Sequence, residues 1–146
     1  MKDVLIKIKG TQTTSAGPEQ TELTTLGKMW RRNGSWSLRY PESEATGMKG
    51  AQTTVSFIDE TVVMKRAGGD GGKARMTIER DRRHLCHYDT GYGELMVGTF
   101  GQNIEHSLGE HGGECFMKYT IDINAAYKSM NELHISVKEL EKTCRC

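Results

Sequence analysis

Long apolar runs are missing from this chain. Lysines interrupt every short hydrophobic stretch of Met1-Lys2-Asp3-Val4-Leu5-Ile6-Lys7-Ile8-Lys9, which removes the core a signal peptide needs. No apolar stretch approaches the length of a bilayer-spanning helix, and the mean hydropathy of −0.60 agrees. Export and a membrane span are therefore not expected, and a soluble, cytoplasmic protein is. Charge of one sign is missing too. With Lys+Arg at 20 against Asp+Glu at 19, the formal net charge is +1, so no global field draws in nucleic acid or an anionic membrane. Cysteine is sparse: Cys86, Cys115, Cys144 and Cys146 are read as free thiols of a reducing compartment rather than as a disulfide framework. Helical periodicity is nearly absent. So is any nucleophile–base or acid–base pair at diagnostic spacing, and no enzymatic activity is expected.

What the chain does have is alternation. Its 146 residues suit one domain, and hydrophobic and charged fractions of 36% and 27% exclude disorder. Val4, Ile6 and Ile8 share one face of the first strand and Leu5, Lys7 and Lys9 the other. Residues 14–20, with Gly17-Pro18, read as a loop, and the run over 21–32 ends at Asn33-Gly34, a type I′ hairpin signal. Trp36, Leu38 and Tyr40 share a face of the next strand, and the polar stretch 42–50 reads as a loop or a bulged edge. Runs over 52–58 and 61–66 flank Asp59-Glu60, and the glycine-dense stretch 66–73 opens a third hairpin. Further strands are predicted over 75–80, 83–89, 94–100, 103–108, 114–123 and 132–138. The turns between them are Asp81-Arg82, Thr90-Gly91-Tyr92-Gly93, Gly101-Gln102 and the stretch 109–113. Short strands with mostly hairpin-length links predict an all-β fold, an antiparallel up-and-down meander closed into a barrel of about 8–10 strands, rather than a Greek-key sandwich. The domain is expected to span residues 1–139, with 140–146 a flexible C-terminal tail.

Three groups of residues carry a family resemblance: Tyr40-Pro41-Glu42-Ser43-Glu44-Ala45-Thr46-Gly47-Met48-Lys49-Gly50; Thr90-Gly91-Tyr92-Gly93-Glu94-Leu95; and Tyr119-Thr120-Ile121-Asp122-Ile123-Asn124 with Ser129-Met130-Asn131. Together they resemble the YwiB-like family of bacterial lipocalin-like (calycin-type) barrels, a group without an established function. The resemblance spans almost the whole chain and implies a calycin-type barrel whose interior holds a small ligand; it supplies no catalytic residues. Two departures are Gly91, where the family has proline, and the Cys144-Arg145-Cys146 ending.

Several constellations suggest chemistry and fall short of it. In His84-Leu85-Cys86-His87, alternation puts His84 and Cys86 on one strand face and His87 on the other, so a zinc site would need His106, His111 or Cys115 from elsewhere. Asp89-Thr90-Gly91 matches the aspartic-protease tripeptide in a single copy, placed like a hairpin turn. Gly68-Gly69-Asp70-Gly71-Gly72-Lys73 has the composition of a phosphate loop but leads into a strand, not a helix. No metal or cofactor is expected.

Two binding readings remain. Lys65, Arg66, Lys73, Arg75, Arg80, Arg82, Arg83 and His84 make the middle third basic, which suits a nucleic-acid-binding or protein-interaction module, with Tyr88 and Tyr92 as stacking surfaces for a nucleic acid; interspersed Asp70, Glu79, Asp81 and Asp89 argue against nucleic acid. The favoured reading is a small, anionic ligand in the barrel interior. With the apolar face inward, Val62, Met64 and Arg66 align, and an arginine on an apolar face must find a partner, either Glu42 or an anionic ligand. The candidate ligand-binding residues are Tyr40, Glu42, Arg66, His87 and Tyr119, of which His87 points inward only if Leu85 does. Composition and pattern give no oligomeric state.

Overall fold

The computed structural model of the chain describes residues 1–42, 50–68, 74–89 and 94–140. Alternation becomes ten strands: β1 (Lys2–Thr14), β2 (Gly17–Arg32), β3 (Ser35–Pro41), β4 (Ala51–Ile58), β5 (Thr61–Gly68), β6 (Ala74–Glu79), β7 (Arg83–Asp89), β8 (Glu94–His106), β9 (Gly112–Ile123) and β10 (Ala126–Glu139). Among the described residues no helix is long and apolar enough to cross a membrane.

All strands belong to one antiparallel sheet in the order β6-β5-β4-β3-β2-β1-β10-β9-β8-β7. Chain neighbours are sheet neighbours throughout, with one exception. The first and last strands pair with each other, from Val4↔Glu139 to Thr13↔Met130, and the gap in the ring falls instead between β6 and β7. The barrel is thus nearly closed, with its seam between two strands joined by a tight turn. At that turn the seam is pinned. Glu79 bridges to Arg82 and Arg80 to Gly101, the Asp81 amide donates to the Gly101 carbonyl at 2.8 Å, and Thr99 Oγ1 donates to the Thr77 carbonyl at 2.5 Å. Away from the turn the two edges make no ladder.

Inward positions fill the barrel. Val4 and Ile6 of β1, Met29 of β2, Leu38 of β3, Val55 and Phe57 of β4, Val62 of β5, Ile78 of β6, Met117 of β9 and Ile135 of β10 are at most 1% exposed. Each large side chain buried to this degree contributes ~1.5–3 kcal/mol of hydrophobic stabilisation. Gly27 and Gly101 mark close approaches: a Cβ on Gly27 would lie 2.4 Å from the Arg39 carbonyl oxygen, and one on Gly101 would lie 2.5 Å from that of Glu79.

Asn33 (φ 51°) and Gly34 (φ 80°) form the hairpin their identities demand, and Asn124 (φ 51°) with Ala125 (φ 68°) forms another. The structure departs from the sequence reading in three places. Residues 14–20 are not a loop: β1 and β2 pair up to Thr14↔Gly17, leaving only Ser15-Ala16 as the link. Pro18 is tolerated because β2 meets β3 only from Lys28 to Arg32, so at Pro18 its other side is a free edge. Gly101-Gln102 is not a turn but a bulge in one long strand, since Gly101 pairs with Tyr119 and Asn103 with Lys118, leaving Gln102 unpaired. Strand β10 begins at Ala126, earlier than the predicted 132, and reaches Glu139. The Leu140 amide donates to the Asp3 carbonyl at 3.1 Å; residues 141–146, most of the expected tail, lie outside the described residues.

Candidate functional site

The ring opens where β6 and β7 diverge, and the space left is an open cleft of about 590 Å³. Strand β5 lends its end to one wall through Lys65, Arg66 and Ala67, β6 adds Ala74, Arg75 and Thr77, and the opposite wall is Leu85, Cys86 and His87 of β7. Four of these nine residues bear basic groups and none is a carboxylate. That imbalance is local, because the whole chain is nearly neutral. Lys65 and Arg75 also stand directly opposite each other in the β5–β6 ladder, a like-charge pairing that is unfavourable in a sheet. Neither has an ion-pair partner among the described residues.

Behind the cleft lies a buried polar cluster. Alternation on β4 turns Thr53 inward at 1% exposure, and Glu42, just past the end of β3, is held there by its amide donating to the Ala51 carbonyl at 2.8 Å. The Glu42 carboxylate is 3% exposed; Thr53 Oγ1 donates to its Oε1 at 2.6 Å and the Arg66 guanidinium at 3.4 Å. Arg66 Nε also donates to Thr53 Oγ1 at 3.3 Å. Thr53 and Glu42 thus take two of the five N–H groups of a guanidinium whose side chain is 31% exposed and lines the cleft. Tyr40 and Tyr119 complete the cluster, 6% and 5% exposed. Burial pushes the Tyr40 phenol well above its ordinary pKa, Glu42 and Tyr119 add to the rise, and Arg66 opposes it. Tyr40 is therefore a neutral hydroxyl, a hydrogen-bond donor and acceptor rather than a base.

Four of the five sequence-derived candidates, Tyr40, Glu42, Arg66 and Tyr119, are gathered in this cluster. His87 stands apart, at the rim of the cleft. On β7 the partly covered positions are His84 and Cys86, while Leu85 and His87 face outward. Leu85 is 53% exposed, so the inward orientation that was conditional on it does not occur. Thr53, Lys65 and Arg75 were not singled out for this site. Thr53 has an ordinary strand sequence signal, and the importance of Lys65 and Arg75 comes from where the ring opens, which alternation does not encode.

The barrel centre is packed, and a small interior space beside Thr53, Met64, Arg66 and Met76 measures about 30 Å³, room for water only. A wider hollow of about 1050 Å³ lies on the outer surface around Met1, Leu26 and Leu140. Its charged side chains are paired, Lys2 with Glu139 at 3.4 Å and Asp3 with the neighbouring Lys28. His84 Nε2 lies 2.9 Å from Glu79 Oε1, and no group of three or more metal-ligand side chains occurs among the described residues. Thr90, Gly91 and the glycines at 69, 71 and 72 lie outside the described residues, as does Cys144-Arg145-Cys146.

The family model described as a domain of unknown function (DUF1934) matches residues 6–135. Among solved structures, the crystal structure of the ywiB protein from Bacillus subtilis is similar with a TM-score of 0.82, covering 96% of this chain and 93% of that one at 18% sequence identity. At that identity the likeness shows a shared fold. A search of curated proteins finds no match.

Proposed function

This chain belongs to the DUF1934 family, and from that premise we propose that it is a non-enzymatic binding protein that holds a small anionic ligand in the β6–β7 cleft. One observation carries the reading: an open space of metabolite size lined by Lys65, Arg66, Arg75 and His87, without a carboxylate among the described residues. Arg66 is the anchor. Its guanidinium is fixed in place by Thr53 and Glu42, so little side-chain freedom is lost on binding. Lys65 and Arg75 supply charge whose mutual repulsion an anion relieves. Tyr40, Glu42 and Tyr119 support Arg66 from behind, and the ligand sits at the seam rather than in a central lumen.

Nucleic-acid binding by the basic middle third has weaker support. Arg80 pairs with Glu60 at 3.3 Å, Arg82 with Glu79 at 3.7 Å and Arg83 with Asp122 at 2.6 Å, which breaks the patch into neutral pairs. Native mass spectrometry of freshly purified protein, followed by calorimetric titration with citrate, inorganic phosphate and pyrophosphate, tests the proposal. It predicts binding of at least one anion that weakens in Arg66→Ala and Lys65→Gln/Arg75→Gln. No binding of any, or binding indifferent to these changes, rejects it.

A further inference from the structure

A ring that opens between two strands exposes two sheet edges, and here they border the same cleft. Among the described residues, the backbone of β6 and its turn is hydrogen-bonded or bridged on its open side only near the turn end, at Thr77, Glu79 and the adjoining Arg80, and β7 has a ladder partner on one side only, β8. Every second residue of an edge strand turns its N–H and C=O away from its neighbour, a ready template for another extended chain. Backbone groups of this kind bind peptide by strand addition.

We propose that the cleft accepts an extended acidic peptide segment, which adds as a strand along the β6 and β7 edges and places carboxylates against Lys65 and Arg75. This deepens the anion-binding reading and rests on it. Charge complementarity selects the occupant: among the described residues the cleft walls hold basic groups and no carboxylate. Strand geometry selects its form. Side chains of an added strand alternate, so acidic residues at every second position meet Lys65 and Arg75 on the outer face while the intervening ones turn to the side of Arg66. A nucleic acid is served less well, because among the described residues the lining has no Phe, Tyr or Trp on which a base stacks. Filling the gap would also complete the ring, removing an exposed edge of the kind β proteins normally protect.

The test uses the full chain, labelled with ¹⁵N, and an acetylated, amidated hexapeptide of alternating Glu and Val. Amide shifts are expected on β6 from Ala74 and on β7 from Leu85 to His87, with loss of binding in Lys65→Gln/Arg75→Gln. Two N-methylated forms of the peptide separate backbone pairing from charge. Methylating either alternate set of amides should weaken binding about tenfold, as for loss of one or two net hydrogen bonds, because one set faces β6 and the other β7. Binding of both methylated forms as tight as that of the unmethylated peptide overturns strand addition, as does preference for a dT hexanucleotide over the peptide. Citrate binding at the cleft with no peptide binding overturns strand addition alone; binding of neither overturns the anion reading as well.

Discussion

Removing the Arg66 charge should be more destabilising than removing the Glu42 charge, although the two form one pair. Their surroundings differ. The Glu42 carboxylate is 3% exposed and is held, among the described residues, by Thr53 at 2.6 Å and Arg66 at 3.4 Å, whereas the Arg66 side chain is 31% exposed and lines the open cleft. In Arg66→Met the aliphatic stem is kept, but a buried carboxylate is left with one neutral side-chain donor among the described residues. Stranding a fully buried charge costs ~3–5 kcal/mol, and the 3.4 Å separation and partial exposure of Arg66 reduce this to roughly 2 kcal/mol here. Glu42→Gln leaves a guanidinium that water can solvate and a side-chain oxygen that still accepts from Thr53, so about 1 kcal/mol or less is expected. The double variant should recover part of the Arg66→Met loss, because no charge remains buried. Urea unfolding of the four proteins, with midpoints compared at constant slope, gives these differences. A larger effect of Glu42→Gln than of Arg66→Met, or additive losses in the double variant, would refute the assignment of Glu42 as the buried, dependent partner.

Gly101→Ala should open the pinned end of the seam, since the new methyl carbon would lie 2.5 Å from the Glu79 carbonyl oxygen; a loss of about 1–3 kcal/mol is expected in the same unfolding assay. Burial pushes the Cys115 thiol up to about 12, and Glu114 adds to the rise. In a Cys144→Ser/Cys146→Ser background, a maleimide at pH 7.5 should therefore label Cys86 and spare Cys115. The same shift sets a stability trend. Above the unfolded thiol value, near 8.5, only the unfolded state loses its proton, so stability falls as pH rises from about 9 toward 12, and the buried Tyr40 phenol acts in the same direction. Cys115→Ala should flatten this alkaline decline relative to the parent. Lys65→Gln should stabilise the ligand-free protein by a few tenths of a kcal/mol, by removing a like charge opposite Arg75, while it weakens anion binding; lower stability in its thermal melt would argue against unrelieved repulsion at that pair.

Fold class was legible because alternation directly specifies which residues face the core. Trp36, Leu38 and Tyr40 share a strand face, as do Val62, Met64 and Arg66, and Glu42 was already the named partner for Arg66. Turns were legible where one residue type dominates the backbone, as at Asn33-Gly34. They misled where composition suggested a break but pairing continued through it: Pro18 sits on a free edge of β2, and Gly101-Gln102 is a bulge where β8 passes close to Glu79. The seam was not legible at all. Which adjacent strands fail to pair depends on how far the sheet has twisted by the time its ends meet, a property of ten strands together. Lys65 and Arg75 gain their place at the candidate site only through that closure.

The central claim is that the open seam between β6 and β7 is an anion site. A ¹⁵N-resolved titration of the full chain with citrate tests it directly. Saturable shifts are expected, concentrated at Lys65, Arg66, Ala67, Ala74, Arg75, Leu85, Cys86 and His87 and abolished in Arg66→Ala. Shifts centred on the outer hollow at Met1, Leu26 and Leu140, or none at any residue, would contradict it.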